Sequence, residues 1–362
     1  MRTLRRLVVA VLLPAALVGP ATGGERDAAP PTGAELRAAY AGPAATWPAP
    51  WLDPGVAFQE LGAPPPPPAP GPAATLGGRL FRDPRLSIDG RVACAGCHDP
   101  DHGFSVPGKV GAGVGGAQGR RNPPALASVV GRTRLDWDGG GGDLAARVLA
   151  PLTAPGEMGR SDLAAVLADL SDMGYGAAFT DGFGREGISV RALSAALVAY
   201  LATLDSETRF DRFARGDRAA LTDMELAGLH LFRTKARCAN CHFGPLLTDE
   251  GVHNLRLSFF GEPAQDLGRY GATQAAEDAG RFRTPSLRHV ASSAPYMHNG
   301  LFPTLDGVVN FYDRGGGEVW ARNAAEAARP LYREAARLSP HIRPLGLTAQ
   351  EKAALAAFLR TL

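Results

Sequence analysis

Cysteine is scarce in this chain: 362 residues contain four, all of them inside two short motifs. Net charge is nearly absent as well, because 38 lysines and arginines face 36 aspartates and glutamates and leave a formal +2, with the basic residues scattered among acids. That excludes an electrostatic footprint for nucleic acid. Long apolar runs are missing too. The longest, residues 7–18, is interrupted by Pro14 and falls short of the ~20 residues that span a bilayer. Sustained alternation of apolar and polar residues, the mark of strands, does not occur, so the predicted class is all-α with long loops.

The chain opens with an export signal at residues 1–24: Arg2, Arg5 and Arg6 form the charged start, residues 7–18 the apolar stretch, and Ala21, Thr22 and Gly23 a small-residue cleavage site. A stretch too short to anchor favours cleavage. The mature protein is expected in the periplasm, beginning near Gly24 or Glu25. Residues 25–72 hold five consecutive prolines at 64–68, which favour extended polyproline structure over a packed core. A linker or a surface-hugging arm is expected there. The full chain is 45% hydrophobic and 20% charged, enough for two ordinary domains, predicted at 73–216 and 217–362.

Each segment carries one copy of Cys-x-x-Cys-His: Cys94, Cys97 and His98 in the first, Cys238, Cys241 and His242 in the second. This is the attachment signature of c-type haem. Two thiols one helical turn apart can add to the two vinyl groups of one porphyrin, and the adjacent imidazole then lies under the iron. Two covalent haems are therefore predicted. A zinc ribbon would need its thiolate pairs roughly 15–20 residues apart, whereas about 140 residues separate these pairs and a histidine follows both. A thioredoxin-like pair would need a βαβ pattern nearby, and the flanks are instead rich in glycine, proline and helical periodicity.

Four helices are legible. Ser161 is placed to cap one with Leu163, Val166, Leu167 and Leu170 on a face, and Leu193, Leu197, Tyr200, Leu201 and Leu204 repeat that spacing in the next. Thr222 and Glu225 form a capping box ahead of Leu226, Leu229 and Phe232, and Thr348 with Glu351 forms another ahead of Leu355, Phe358, Leu359 and Leu362. The 45 glycines suit loops that pass close to flat haem faces.

Around the two haem motifs stands a series of further motifs in fixed order. These are Leu80-Phe81-x-Asp83-x-Arg85-Leu86-Ser87, Gly119-Arg120-Arg121-Asn122, Trp137-Asp138-Gly139, Pro155-Gly156-Glu157-Met158-Gly159, Thr284-Pro285-Ser286-Leu287-Arg288 and Pro295-Tyr296-Met297-His298-Asn299-Gly300. The order resembles the bacterial dihaem cytochrome c peroxidases, a family with a MauG-like branch, over residues 73–362. The resemblance implies that the first haem meets hydrogen peroxide and the second stores or relays the other oxidising equivalent, with His98 and His242 as proximal ligands.

The resemblance also assigns single residues. Eight positions before Asn122, where reductively activated peroxidases carry a blocking histidine, this chain has Val114, so the first haem is expected to be open at rest, as in MauG. His102 follows His98 too closely to reach the opposite face and is read as a loop histidine. Fourteen residues beyond His298 lies Tyr312, the second axial ligand of the second haem in the MauG-like branch, where typical peroxidases have methionine; a phenolate is the harder ligand. Met297 flanks His298, which is implied to lie near the haem edge. Glu157 matches the acid–base carboxylate over the peroxide site. Arg147 stands where the family usually has glutamine, and either polarises the departing oxygen or points to solvent.

Trp137 matches an indole between the haems. Asn122, with the carbonyls of Ser293 and Pro295, matches an interdomain calcium site. Ala236 replaces a surface tryptophan through which MauG oxidises its protein substrate, so any protein partner docks differently or the route has changed. The implied reductant is a small periplasmic cytochrome c or cupredoxin, or the side chains of a partner protein. The rival reading is a dihaem electron carrier without turnover, against which Val114 and Glu157 speak.

Overall fold

In the computed structural model residues 33–362 are described, and the export signal read at residues 1–24 lies outside them. From residue 33 onward the stretch predicted as a linker or surface-hugging arm contributes apolar side chains to a core. Helix α1 (Gly33–Ala39) and the chain after it bury Leu36, Tyr40, Trp47 and Leu61. The prolines at 65–68 stay exposed. The arm is therefore part of a core, because its apolar anchors lie outside the proline run that sequence reasoning weighed most.

Two hydrophobic cores follow. The first is built on α2 (Pro72–Arg82), α3 (Leu163–Asp172), α4 (Gly176–Phe183) and α5 (Val190–Leu201). Pro72 starts α2 at a position where its missing N–H costs nothing. The cap of α3 is Asp162, whose carboxylate accepts the Ala165 N–H at 2.8 Å, one residue later than the predicted Ser161. Helix α5 buries Leu193, Leu197, Tyr200 and Leu201 as the periodicity requires. It crosses α2 so closely that a Cβ on Gly77 would collide with the Ala196 carbonyl.

The second core repeats this device with α6 (Asp223–Arg233), α7 (Leu305–Asp313) and α8 (Ala349–Leu359). Both predicted capping boxes form, at Thr222 with Glu225 and at Thr348 with Glu351. At the α6–α8 crossing a Cβ on Gly228 would strike the Ala354 carbonyl. Phe210 and Phe213 pack here, and Phe210 N–H donates to Thr361 O at 3.0 Å.

The all-α prediction needs one correction. β1 (Val252–Asn254) and β2 (Arg281–Arg283) form an antiparallel ladder pairing Val252 with Arg283, His253 with Phe282 and Asn254 with Arg281. Three-residue strands are too short to register as alternation. Beside the second core, both terminal nitrogens of Arg288 reach Asp211 at 2.7 Å in a buried ion pair. His289 bonds Asp205 at 2.6 Å beside it. Among the described residues no helix is long and apolar enough to cross a membrane.

Candidate functional site

Each Cys-x-x-Cys-His motif closes one tight turn, helical at Cys94–Cys97 and 3-10 at Cys238–Asn240. His98 N–H donates to Cys94 O and His242 N–H to Cys238 O, both at 2.9 Å. Beyond the turn each imidazole is held in the same way: Nδ1 lies 3.0 Å from the carbonyl of Phe104 in the first site and of Leu247 in the second. A carbonyl only accepts, so Nδ1 carries the proton and Nε2 is left as a lone-pair donor. Burial pushes His98 down to about 4, which keeps the imidazole neutral, the form that ligates iron. Phe104 and Leu247 both sit at positive φ, 57° and 53°. Non-glycine residues enter that region only at a cost of about 1–2 kcal/mol, and here the turn aims a carbonyl at the histidine.

The two motifs face different cavities, so their four sulfurs do not converge on one tetrahedral ion as a zinc ribbon requires. The first cavity is bordered by Cys94, Cys97, His98, Trp137, Arg147 and Glu157. Its walls are cut back to backbone: a Cβ on Gly111 would lie 2.6 Å from Cys97 Sγ, and one on Gly113 would overlap Gly156 O. The second cavity is bordered by Cys238, Cys241, His242, His298, Tyr312 and again Trp137. Both hollows suit a flat macrocycle standing on a histidine.

Glu157 is exposed at the mouth of the first cavity, and its backbone carbonyl accepts the Val114 N–H at 2.8 Å. Val114 is not among the residues bordering that cavity; its methyl lies toward Gly159, beside Ile88. The loop thus lines the cavity with Gly111, Gly113 and Gly119, while Val114 turns elsewhere. Arg147 stands on the cavity wall, its Nε paired with Asp136 Oδ1 at 2.7 Å. His102 bonds Asp99 at 2.8 Å, clear of the cavity.

Trp137 borders both cavities. Its Nε1 donates to Asn122 O at 2.7 Å, and its ring meets the His298 ring edge-on at 6.4 Å. His298 is stacked on Phe282 at 3.7 Å, which is how the short ladder shapes the site. Burial lowers the His298 imidazole to about 4. Tyr312, on α7, turns its phenol into the second cavity, and among the described residues nothing hydrogen-bonds its hydroxyl. Burial lifts that hydroxyl above the usual phenol range. Asn122, Ser293 and Pro295 all border this cavity. The Asn122 carboxamide is already engaged, accepting from Ser105 Oγ at 3.2 Å and donating to Lys109 O at 3.2 Å. Met297 and Ala236 are also in the wall.

Sequence reasoning missed Asp136, the two carbonyl-aiming residues Phe104 and Leu247, and two buried arginines, Arg132 and Arg283. None lies in a haem-attachment motif. Only the Arg-Thr-Pro context of Arg283 offered a signal.

The family described as di-haem cytochrome c peroxidase matches residues 72–219. The chain is 34% identical over 319 residues to cytochrome-c peroxidase IdrP1 of Pseudomonas sp. (strain SCT), covering 79% of each. It is 38% identical over 293 residues to the methylamine utilization protein MauG of Methylorubrum extorquens, covering 79% of this chain and 77% of that one. Among solved structures, a MauG-like protein associated with microbial copper homeostasis superposes with a TM-score of 0.70 at 32% identity, over 86% of this chain and 95% of that one.

Proposed function

This chain belongs to the di-haem cytochrome c peroxidase family, and we propose that it is an exported oxidoreductase that consumes hydrogen peroxide beside His98. Oxidising equivalents then pass by way of Trp137 to the side holding His242 and Tyr312. One observation carries this reading: two Cys-x-x-Cys-His turns, each with its histidine Nδ1 held by a backbone carbonyl, face two cavities that share the Trp137 indole as a wall. Cys94 and Cys97 would bind one haem through thioethers and Cys238 and Cys241 the other, with His98 and His242 offering Nε2. Bound haem supplies the redox chemistry that peroxide reduction requires.

The chain supplies the rest. Glu157, at the open mouth, is placed to carry a proton from one peroxide oxygen to the other. Arg147, fixed by Asp136, adds positive charge at the same wall. Trp137 is held by Asn122 between the cavities. Tyr312, bordering the same cavity as His242, would offer its phenol oxygen to the iron of the second haem. A calcium ion at Asn122, Ser293 and Pro295 would replace the Ser105 hydrogen bond with a stronger oxygen contact. Reductant comes from a small periplasmic cytochrome c or cupredoxin. A second reading, oxidation of side chains in a partner protein, is favoured by tyrosine rather than methionine at 312.

Electron paramagnetic resonance of the oxidised protein tests the proposal. One high-spin signal from an iron left open by Val114 and one low-spin signal from an iron closed by Tyr312 are expected, with Tyr312→Phe abolishing the low-spin signal. Two low-spin signals, and no reaction with peroxide until one haem is reduced, would overturn the open first site.

A further inference from the structure

Four arginines are buried among the described residues: Arg132, Arg233, Arg283 and Arg288. Two have carboxylate partners, Arg233 with Glu60 and Arg288 with Asp211. The other two do not. Arg132, 8% exposed, donates from Nη1 to Ala125 O at 3.3 Å and from Nη2 to Ala127 O, and its Nε has no partner. Arg283, 2% exposed, bonds only the carbonyls of Leu135, Asp136 and Thr284, at 3.1 to 3.3 Å.

A buried charge with no counter-charge in hydrogen-bond reach is costly. These two are also close enough to act on one another, since burial first and then the Arg283 charge bring Arg132 down to about 9 against the weaker opposing pull of Glu250 and Asp205. The fold sets a carboxylate within hydrogen-bond reach of Arg233 and Arg288, whereas Arg132 and Arg283 bond carbonyls and feel Glu250 only at longer range, which leaves room for an anion that bonds them directly. Location says which. Arg132 borders both cavities, and Arg283 borders the second. The group that fills each cavity in the function proposed above carries two carboxylates of its own.

We propose that Arg132 and Arg283 form a cationic seat for the carboxylate side chains of the two haems, Arg132 serving both and Arg283 the second. The seat rests on the two-haem reading and adds a consequence to it. A fixed positive charge beside a redox centre favours the reduced form, so one guanidinium bordering both cavities raises both reduction potentials together. Arg132 and Arg283 act here as positioning and tuning residues, apart from the proton transfer at Glu157.

The test uses the haem-loaded protein, with haem counted by the alkaline pyridine assay and each midpoint potential read by spectroelectrochemical titration. Arg132→Gln should shift the reduction equilibrium of both haems toward the oxidised form by tenfold or more, a fall of 59 mV for one electron. Arg283→Gln should shift the second haem by a comparable factor and leave the first within twofold. Unmoved potentials in a fully loaded Arg132→Gln protein would overturn the seat. Should that variant fail to accumulate, Arg283→Gln decides alone, because an unmoved second haem also overturns it. A wild-type chain without two haems would instead refute the underlying function, an outcome the pyridine assay reads separately.

Discussion

Trp137 Nε1 donates to the Asn122 carbonyl at 2.7 Å, and that bond fixes an indole against both cavities at once. The orientation is set by backbone, so changes at residue 137 act on the ring and leave its support standing. Trp137→Phe keeps an aromatic ring but loses the donor and the larger π-system. Haem content should stay at two per chain, while electron exchange between the haems slows by tenfold or more in rapid-mixing experiments. An exchange rate equal to the wild type would assign Trp137 to packing.

Glu157→Gln removes the proton-carrying carboxylate and keeps its size. The bimolecular rate with peroxide should fall by ~10²-fold, the usual worth of a positioned general acid and base, as measured by stopped-flow absorbance with both haems retained. If the rate holds, the acid–base assignment moves to the Asp136–Arg147 pair.

Gly228→Ala places a methyl against the Ala354 carbonyl where α6 crosses α8. Overpacking of this kind costs about 1–3 kcal/mol. The denaturant midpoint should drop accordingly, and Gly77→Ala should behave alike at the α2–α5 crossing. A midpoint within error of the wild type would mean that the helices separate freely.

Asp83 gives a pH dependence. Hydrogen bonds from Arg85, at 2.9 Å, and from the Tyr175 hydroxyl, at 2.8 Å, hold its carboxyl down to about 2 against an ordinary 3.8. A depressed folded-state value means stability that is fully present above pH 3.8 and lost as pH falls through 2. Asp83→Asn should cost about 1.5–3 kcal/mol near neutrality and less at pH 3. Urea titrations at pH 6 and pH 3 compare the two, and an equal cost at both would remove the carboxylate from the account.

The sequence by itself determined whatever is closed within a few residues. Cys-x-x-Cys-His sets two thiols and an imidazole on one turn, and the capping boxes at Thr222 and Thr348 start their helices where the hydrogen-bond chemistry requires. The Ser161 prediction missed by one residue because two adjacent acceptors compete and only the backbone angle of Asp162 brings its carboxylate to the Ala165 N–H. Tertiary structure decided the rest. Leu36, Tyr40, Trp47 and Leu61 look like arm residues until a distant core covers them, and the three-residue strands exist only because each pairs with the other. Trp137 and Arg132 reach both cavities and Arg283 the second, because segments far apart in the chain close around the same space. Local periodicity does not encode contacts of that separation; burial and the pairing of buried charge do.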